Sequence, residues 1–211
     1  MKIARTVLLV LLLASPIAAA TDGARLAITS PDRLTSKEDL GSENPRWRFT
    51  AGRWVRRPSG GRQVLAQIAE TQPWAVAILE DRRFTDVDIT VRFRPISGNE
   101  DASGGIIFRA RDGENYLLVR ANALENNFRL YTMIAGRRRA IASATVTPPR
   151  LGEWHTIRVV ALGDRIQAYL NDTMLLDRAD RTFTSGYVGL WTKADSMTEF
   201  VDLEISGVPV N

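Results

Sequence analysis

The sequence predicts an all-β sandwich of two antiparallel sheets, with a strand number that favours a jelly roll. Three observations carry that prediction. Apolar and polar residues alternate with period two over about thirteen short runs. Turn-forming residues recur between those runs at spacings of roughly 8–12 positions, the rhythm of sandwiches. Beyond the first twenty residues, no stretch holds a 3.6-residue period over three turns.

The runs follow one another at 47–55, 62–69, 74–79, 84–95, 105–110, 116–122 and 128–135, then at 139–146, 154–162, 165–171, 174–177, 187–192 and 198–205. Ser59-Gly60-Gly61, Ser97-Gly98-Asn99, Asp112-Gly113, Ala135-Gly136, Leu162-Gly163-Asp164 and Asn171-Asp172 lie between them as turns. Residues 21–46, with Ser30-Pro31 and Asn44-Pro45, read as an irregular N-terminal segment, and 47–207 as one domain. Residues 1–20 read as a secretory signal. Lys2 and Arg5 precede an apolar stretch at 7–14, and Ala18-Ala19-Ala20 offers a cleavage site before Thr21. Ser15-Pro16 interrupts that stretch short of the roughly 20 residues a spanning helix needs. The reading is therefore a periplasmic or secreted protein with no membrane anchor.

Composition excludes several chemistries. The 211 residues contain no cysteine, which removes thiolate metal sites, disulfides and cysteine nucleophiles. His155 is the single histidine, so no multi-histidine metal site can form. The charge of +4 includes Lys2 and Arg5; without them 26 basic residues face 24 acidic ones. That balance, and the scatter of Arg56-Arg57, Arg82-Arg83 and Arg137-Arg138-Arg139, reads as solvated arginines with no nucleic-acid partner.

Alternation then sorts side chains onto faces. Leu117, Val119 and Ala121 face one way and Tyr116, Leu118, Arg120 and Asn122 the other; Phe128 and Leu130 oppose Arg129 and Tyr131 in the next run. Burying both apolar sets fixes the pairing parity and puts Arg120 beside Arg129. A tight turn at Asp112-Gly113 would set Arg109 opposite Tyr116 on that face, and Trp191 and Lys193 join it from a later run. The expected binding face is thus Arg109, Tyr116, Arg120, Arg129, Tyr131, Trp191 and Lys193, with Asn122, Asn126, Asn127 and Glu125 at its rim. Arginine forks and aromatic plates suit a polar ring ligand. A solvated face, with Glu114 or Glu125 pairing the arginines, is the competing reading. On the binding reading, Arg120→Ala and Trp191→Ala would leave the melting temperature nearly unchanged. The expected core holds Phe108, Leu117, Val119, Leu130, Ile157, Val159, Leu190 and Phe200.

Four segments carry a family resemblance: GGIIFRARD (104–112), NYLLVRANALENNFRLY (115–131), GEWHTIRV (152–159) and GYVGLWTKADS (186–196). Over residues 46–206 the chain resembles the 3-keto-disaccharide hydrolase domain family of the concanavalin A-like lectin/glucanase superfamily. The resemblance implies a concanavalin A-like jelly roll with its ligand on the concave face, and work on carbohydrate, either binding a saccharide or hydrolysing one.

Tested against chemistry, the residues give no catalytic set. The E-x-D-x-x-E run of laminarinase-type relatives is missing, and in Glu199–Glu204 the carboxylates do not share one face. His155 opens a strand that reads as structural, and no G-x-S-x-G elbow occurs. The catalytic residues are otherwise unassigned, and Glu125 is the best candidate among them. No cofactor is implied; a structural calcium is conceivable at Asn99-Glu100-Asp101, 177–180 or Asp195-Ser196, although these read more simply as solvated acidic turns. Three functions stay open: a sugar-recognition sandwich, a hydrolase of a modified disaccharide, and a structural or protein-binding sandwich.

Overall fold

A computed structural model describes residues 24–210. The leader and its cleavage site lie outside the described residues. Fourteen strands follow in order: β1 (Leu34–Glu38), β2 (Trp47–Ala51), β3 (Trp54–Ser59), β4 (Arg62–Gln67), β5 (Thr71–Ser97), β6 (Ser103–Ala110), β7 (Tyr116–Asn122), β8 (Asn127–Ile134), β9 (Arg137–Thr145), β10 (His155–Leu162), β11 (Arg165–Leu170), β12 (Thr173–Ala179), β13 (Gly186–Ala194) and β14 (Met197–Pro209). The segment expected to be irregular before Trp47 contributes β1, which pairs with β14 from Leu34↔Gly207 to Glu38↔Leu203.

All the pairings are antiparallel, and β5 belongs to both sheets. Its first half pairs with β2 and β13, and the first sheet continues through β6, β7, β8 and β9. Its second half pairs with β10 and β14, and the second sheet adds β11, β12, β1, β4 and β3. Residues 80–83 (Glu-Asp-Arg-Arg) are exposed where the strand crosses over. The charged break makes two runs in the sequence of what is one 27-residue strand. Ala135 (φ 47°) with Gly136 (70°), and Asn171 (47°) with Asp172 (65°), make two-residue hairpin turns in the left-handed region at two expected places.

The core lies between the sheets. Phe108, Leu117, Val119, Leu130, Ile157, Val159, Leu190 and Phe200 are each 0 % exposed and belong to one cluster there. Complete burial of such an aliphatic side chain is worth about 1.5–3 kcal/mol, with a cavity term added on truncation. Val119→Ala and Leu130→Ala are expected to lower unfolding free energy by about 2–4 kcal/mol each in urea titrations. A change under about 0.5 kcal/mol, typical of a surface position, would contradict this packing.

Candidate functional site

The face of the first sheet that looks away from the core is built from rows of directly paired residues. One row runs Val76, Trp191, Gly105, Arg120, Arg129, Ser143 across six strands. The next runs Ile78, Gly189, Ile107, Leu118, Tyr131, Ala140. Beyond it stand Tyr116, Met133 and Arg138; on the other side Lys193 pairs with Trp74, and Ser103 with Asn122. Gly105 sits between Trp191 and Arg120, and a Cβ there would lie 2.8 Å from Leu118 and 3.2 Å from the Arg120 Cβ. The row therefore has no room for a side chain between the indole and the guanidinium, which only glycine satisfies.

The sheet curls around this face. Trp74 on β5 and Arg138 on β9 lie at opposite ends of six consecutive strands, roughly 24 Å apart in a flat sheet. Yet the Arg138 guanidinium carbon is 5.0 Å from the Trp74 ring centre, 4.6 Å from that of Tyr131 and 6.0 Å from that of Trp191. Only a concave face permits those contacts. Trp74 and Trp191 stack beneath, with centroids 5.9 Å apart and planes 29° apart. Beside Trp74 opens a cavity of about 510 Å³, lined by Thr50, Ala51, Pro73, Val76, Asp112, Gly113, Glu114 and Gly136.

The polar end is tightly packed. Arg120 is 2 % exposed and donates from Nη2 to Glu125 Oε2 at 2.7 Å and to the Tyr131 hydroxyl at 3.4 Å. Asn127 donates to the same Glu125 oxygen at 2.8 Å, and Arg129 donates to the Tyr131 hydroxyl at 3.4 Å. Asn122 spends its carbonyl oxygen on the backbone N–H groups of Ala102 and Leu124. Lys193 donates to the buried Asp101 at 3.3 Å.

Burial alone would push the Glu125 carboxyl up, but the hydrogen bonds from Arg120 and Asn127 prevail and hold it at about 2. In the ligand-free site it is therefore a carboxylate at neutral pH, whereas a glycosidase proton donor carries a raised value. Because the folded value lies below the unfolded one of about 4.3, the pair's contribution is complete above the unfolded value and fades as pH falls towards 2. Glu125 is 37 % exposed, so solvent screening limits the effect to about 1 kcal/mol or less. Urea midpoints of the wild type are expected to fall more steeply than those of Glu125→Gln between about pH 5 and pH 2. Parallel profiles would show that the ion pair carries no stability.

Of the expected residues, Tyr116, Arg120, Asn122, Asn127, Arg129, Tyr131, Trp191 and Lys193 share this face or its edge, with Glu125 joined to it and Asn126 exposed beside it. Arg109 does not. Its φ of 50° makes a bulge that breaks the alternation, and β13 advances two residues (187 to 189) where β6 covers three. The guanidinium is 1 % exposed and donates to the carbonyls of Thr85 (3.1 and 3.2 Å), Phe183 (3.2 Å) and Gly163 (2.6 Å). It is a brace between strand ends. The expectation that Arg120 and Trp191 could be truncated without thermal cost also fails, because they are 2 % and 0 % exposed.

Two residues of the face escaped the sequence reading: Trp74, on a strand whose partner β13 lies more than a hundred residues away, and Arg138, which reads as a solvated tip. Elsewhere, His155 packs on Phe93 and bonds Asn171 and the Arg150 carbonyl, while Glu199 is buried against Arg57, Arg94 and Ser59. The acidic loops have internal partners: Asp195 accepts the N–H groups of Asn99, Glu100 and Asp101, and Asp177 pairs with Arg165. No three His, Asp or Glu side chains converge as a metal cluster among the described residues.

One property separates this face from the rest. Eleven buried side-chain polar atoms lack a hydrogen-bond partner among the described residues, and eight are here: Tyr116 Oη, Arg120 Nε and Nη1, Asn122 Nδ2, Asn127 Oδ1, Arg129 Nε, Arg138 Nη1 and Trp191 Nε1. The Trp191 N–H leans towards the Tyr116 hydroxyl without completing a bond of normal geometry. Buried polar groups are normally satisfied, and a leftover group costs about 1–3 kcal/mol.

The family model for the 3-keto-alpha-glucoside-1,2-lyase-like domain matches residues 38–206. The chain belongs to this family. The chain is also similar to a levanase of Bacillus subtilis (strain 168), 29% identical over 104 residues that make up 49% of this chain and 15% of the levanase. The chain thus matches a small part of that relative's length. Among solved structures, the carbohydrate binding module CBM66 from Bacillus subtilis superposes with a TM-score of 0.67 at 20% identity, covering 75% of this chain and 94% of the module. A prokaryotic beta-1,3-1,4-glucanase (lichenase) derived from a mouse hindgut metagenome gives 0.58 at 12% identity, covering 83% and 99%. At these identities the structural likenesses show the fold, a concanavalin A-like sandwich. No helix among the described residues is long and apolar enough to cross a membrane.

Proposed function

We propose that this domain binds a saccharide in the groove of its concave face and does not cleave it. The observation that carries the reading is the gathering of eight unsatisfied buried polar atoms on one curved, aromatic-floored face. A sugar presents apolar ring faces for Trp74 and Trp191 and hydroxyls for the orphaned groups, and relieves both deficits at once. The likeness to a carbohydrate binding module agrees with this reading. Hydrolysis is the second reading; the Arg120–Glu125 pair disfavours it, because it holds the candidate carboxyl ionised in the ligand-free site. Export behind a cleaved leader would bring the groove to polysaccharide outside the cytoplasm.

A glycan array identifies the ligand, and titration calorimetry on Trp74→Ala then tests the floor. Trp74 is half-buried beside the open cavity, so its loss is expected to weaken binding about tenfold while the fold survives. An array without hits, or undiminished affinity in folded Trp74→Ala, would sink the reading.

A further inference from the structure

We propose that the saccharide taken by this groove is acidic, and that its carboxylate or sulfate is received by Arg129 and Arg138. The inference rests on the carbohydrate reading above and narrows its ligand class. Four cationic side chains belong to the face, and two are neutralised within it: Arg120 by Glu125 and Lys193 by Asp101. Arg129 and Arg138 have no carboxylate within ion-pair distance among the described residues. Glu125 feels the charge of Arg129 but spends its hydrogen bonds on Arg120 and Asn127. Both unpaired guanidiniums are half-buried, and each keeps one N–H position that is buried and unpartnered. A half-buried cation without a counter-charge is an unfavourable arrangement that an anionic ligand corrects.

The two guanidiniums converge. Arg129 donates to the Tyr131 hydroxyl at 3.4 Å, and Arg138 lies 4.6 Å over the Tyr131 ring. Opposite Arg129 and Tyr131, β9 presents only Ser143 and Ala140, small and exposed residues that leave the approach open. The orphaned atoms also point to the sign of the ligand. Six of the eight are N–H donors, one is the Tyr116 hydroxyl, and only Asn127 Oδ1 is a pure acceptor. A neutral sugar hydroxyl both donates and accepts, whereas a carboxylate or sulfate only accepts and answers a donor excess. Arg138 currently covers Trp74 and Trp191, so a ring that stacks there must displace it. An anionic substituent gives the displaced guanidinium a new partner; a neutral ring does not.

The test is an array on which every acidic oligosaccharide stands beside its neutral counterpart, oligogalacturonides with their methyl esters and sulfated galactan oligomers with desulfated ones, together with neutral glucans and fructans. The full chain is expected to prefer the acidic member of a pair by about tenfold to a hundredfold, the yield of one or two charge-assisted hydrogen bonds. The preference should shrink as salt is raised. Arg129→Gln and, separately, Arg138→Gln should bring the acid-to-neutral affinity ratio towards one. Preference for the carboxylated or the sulfated series names the anion, and either supports the inference. Binding confined to neutral glycans, or equal binding within pairs, overturns it and leaves the carbohydrate reading standing. An array with no hit overturns both. If either variant fails to fold, the salt response of the wild type decides: a preference that does not fall with salt counts against the two arginines.

Discussion

Arg109→Ala is expected to cost about 3–5 kcal/mol of stability, although Arg109 makes no ion pair among the described residues and lies outside the proposed groove. The substitution strands the carbonyls of Thr85, Phe183 and Gly163 and empties a site that is 99 % shielded from water. Each unpaired buried carbonyl costs about 1–3 kcal/mol, partly offset by water entering the vacated space. For a domain of this size the melting temperature should drop by roughly 10 °C. Arg109→Lys tests the geometry. It keeps the charge but cannot span three carbonyls with one planar fork, so it should recover little. Arg109 also holds the bulge that sets β6 against β13, and Gly186 beside it has no room for a Cβ, which would meet the Arg109 backbone at 2.3 Å. That register places Trp191 opposite Gly105. On the proposed function, loss of the brace should therefore reduce saccharide affinity without touching the proposed groove. A change of less than about 1 kcal/mol in urea titrations would show the carbonyl contacts to be incidental.

The misplacement of Arg109 shows where the sequence stops being informative. Parity of alternation is a local rule, and it holds wherever strands stay regular: Arg120 pairs with Arg129, and the face carrying Tyr116, Tyr131 and Trp191 is the one expected. A bulge inverts parity, and in FRARD nothing marks one, because a positive φ is seldom adopted by arginine and no glycine signals it. The two-residue turns were legible because Gly136 and Asn171-Asp172 advertise left-handed backbone. The double role of β5 was not, since a charged stretch at 80–83 reads equally well as a loop. Arg138 was hidden for a different reason. Its partners Trp74 and Trp191 come within reach only through the curl of six strands, a property of the whole sheet that no local pattern encodes. Burial of the arginines was equally out of reach, because the sequence gives no sign that long side chains would fold over the aromatic floor and cover it.

Trp191→Ala is expected to remove both stability and ligand binding, and a second substitution separates the two losses. The indole is fully buried, clusters with Val76, Ile78, Ile107, Tyr116, Leu118, Tyr131 and Met133, and stacks on Trp74. Truncation of so large a buried ring costs about 3–5 kcal/mol. Binding should fall for an independent reason, because Trp191 and Trp74 form one plate, and Arg138 loses part of the aromatic surface on which it rests. Trp191→Phe keeps an aromatic plate and deletes the N–H that lacks a partner. Removal of an unsatisfied buried donor relieves its desolvation cost, so this variant should be destabilised by less than about 2 kcal/mol despite the smaller ring. Its affinity then reports mainly on the N–H, with a smaller change from the reduced ring. If the ligand accepts a hydrogen bond from Trp191, Trp191→Phe will bind more weakly by roughly tenfold while remaining folded. If the indole serves only as floor, Trp191→Phe will bind like the wild type and Trp191→Ala will not. A folded Trp191→Ala that binds undiminished would exclude both, because the ligand could then be using neither the indole ring nor its N–H.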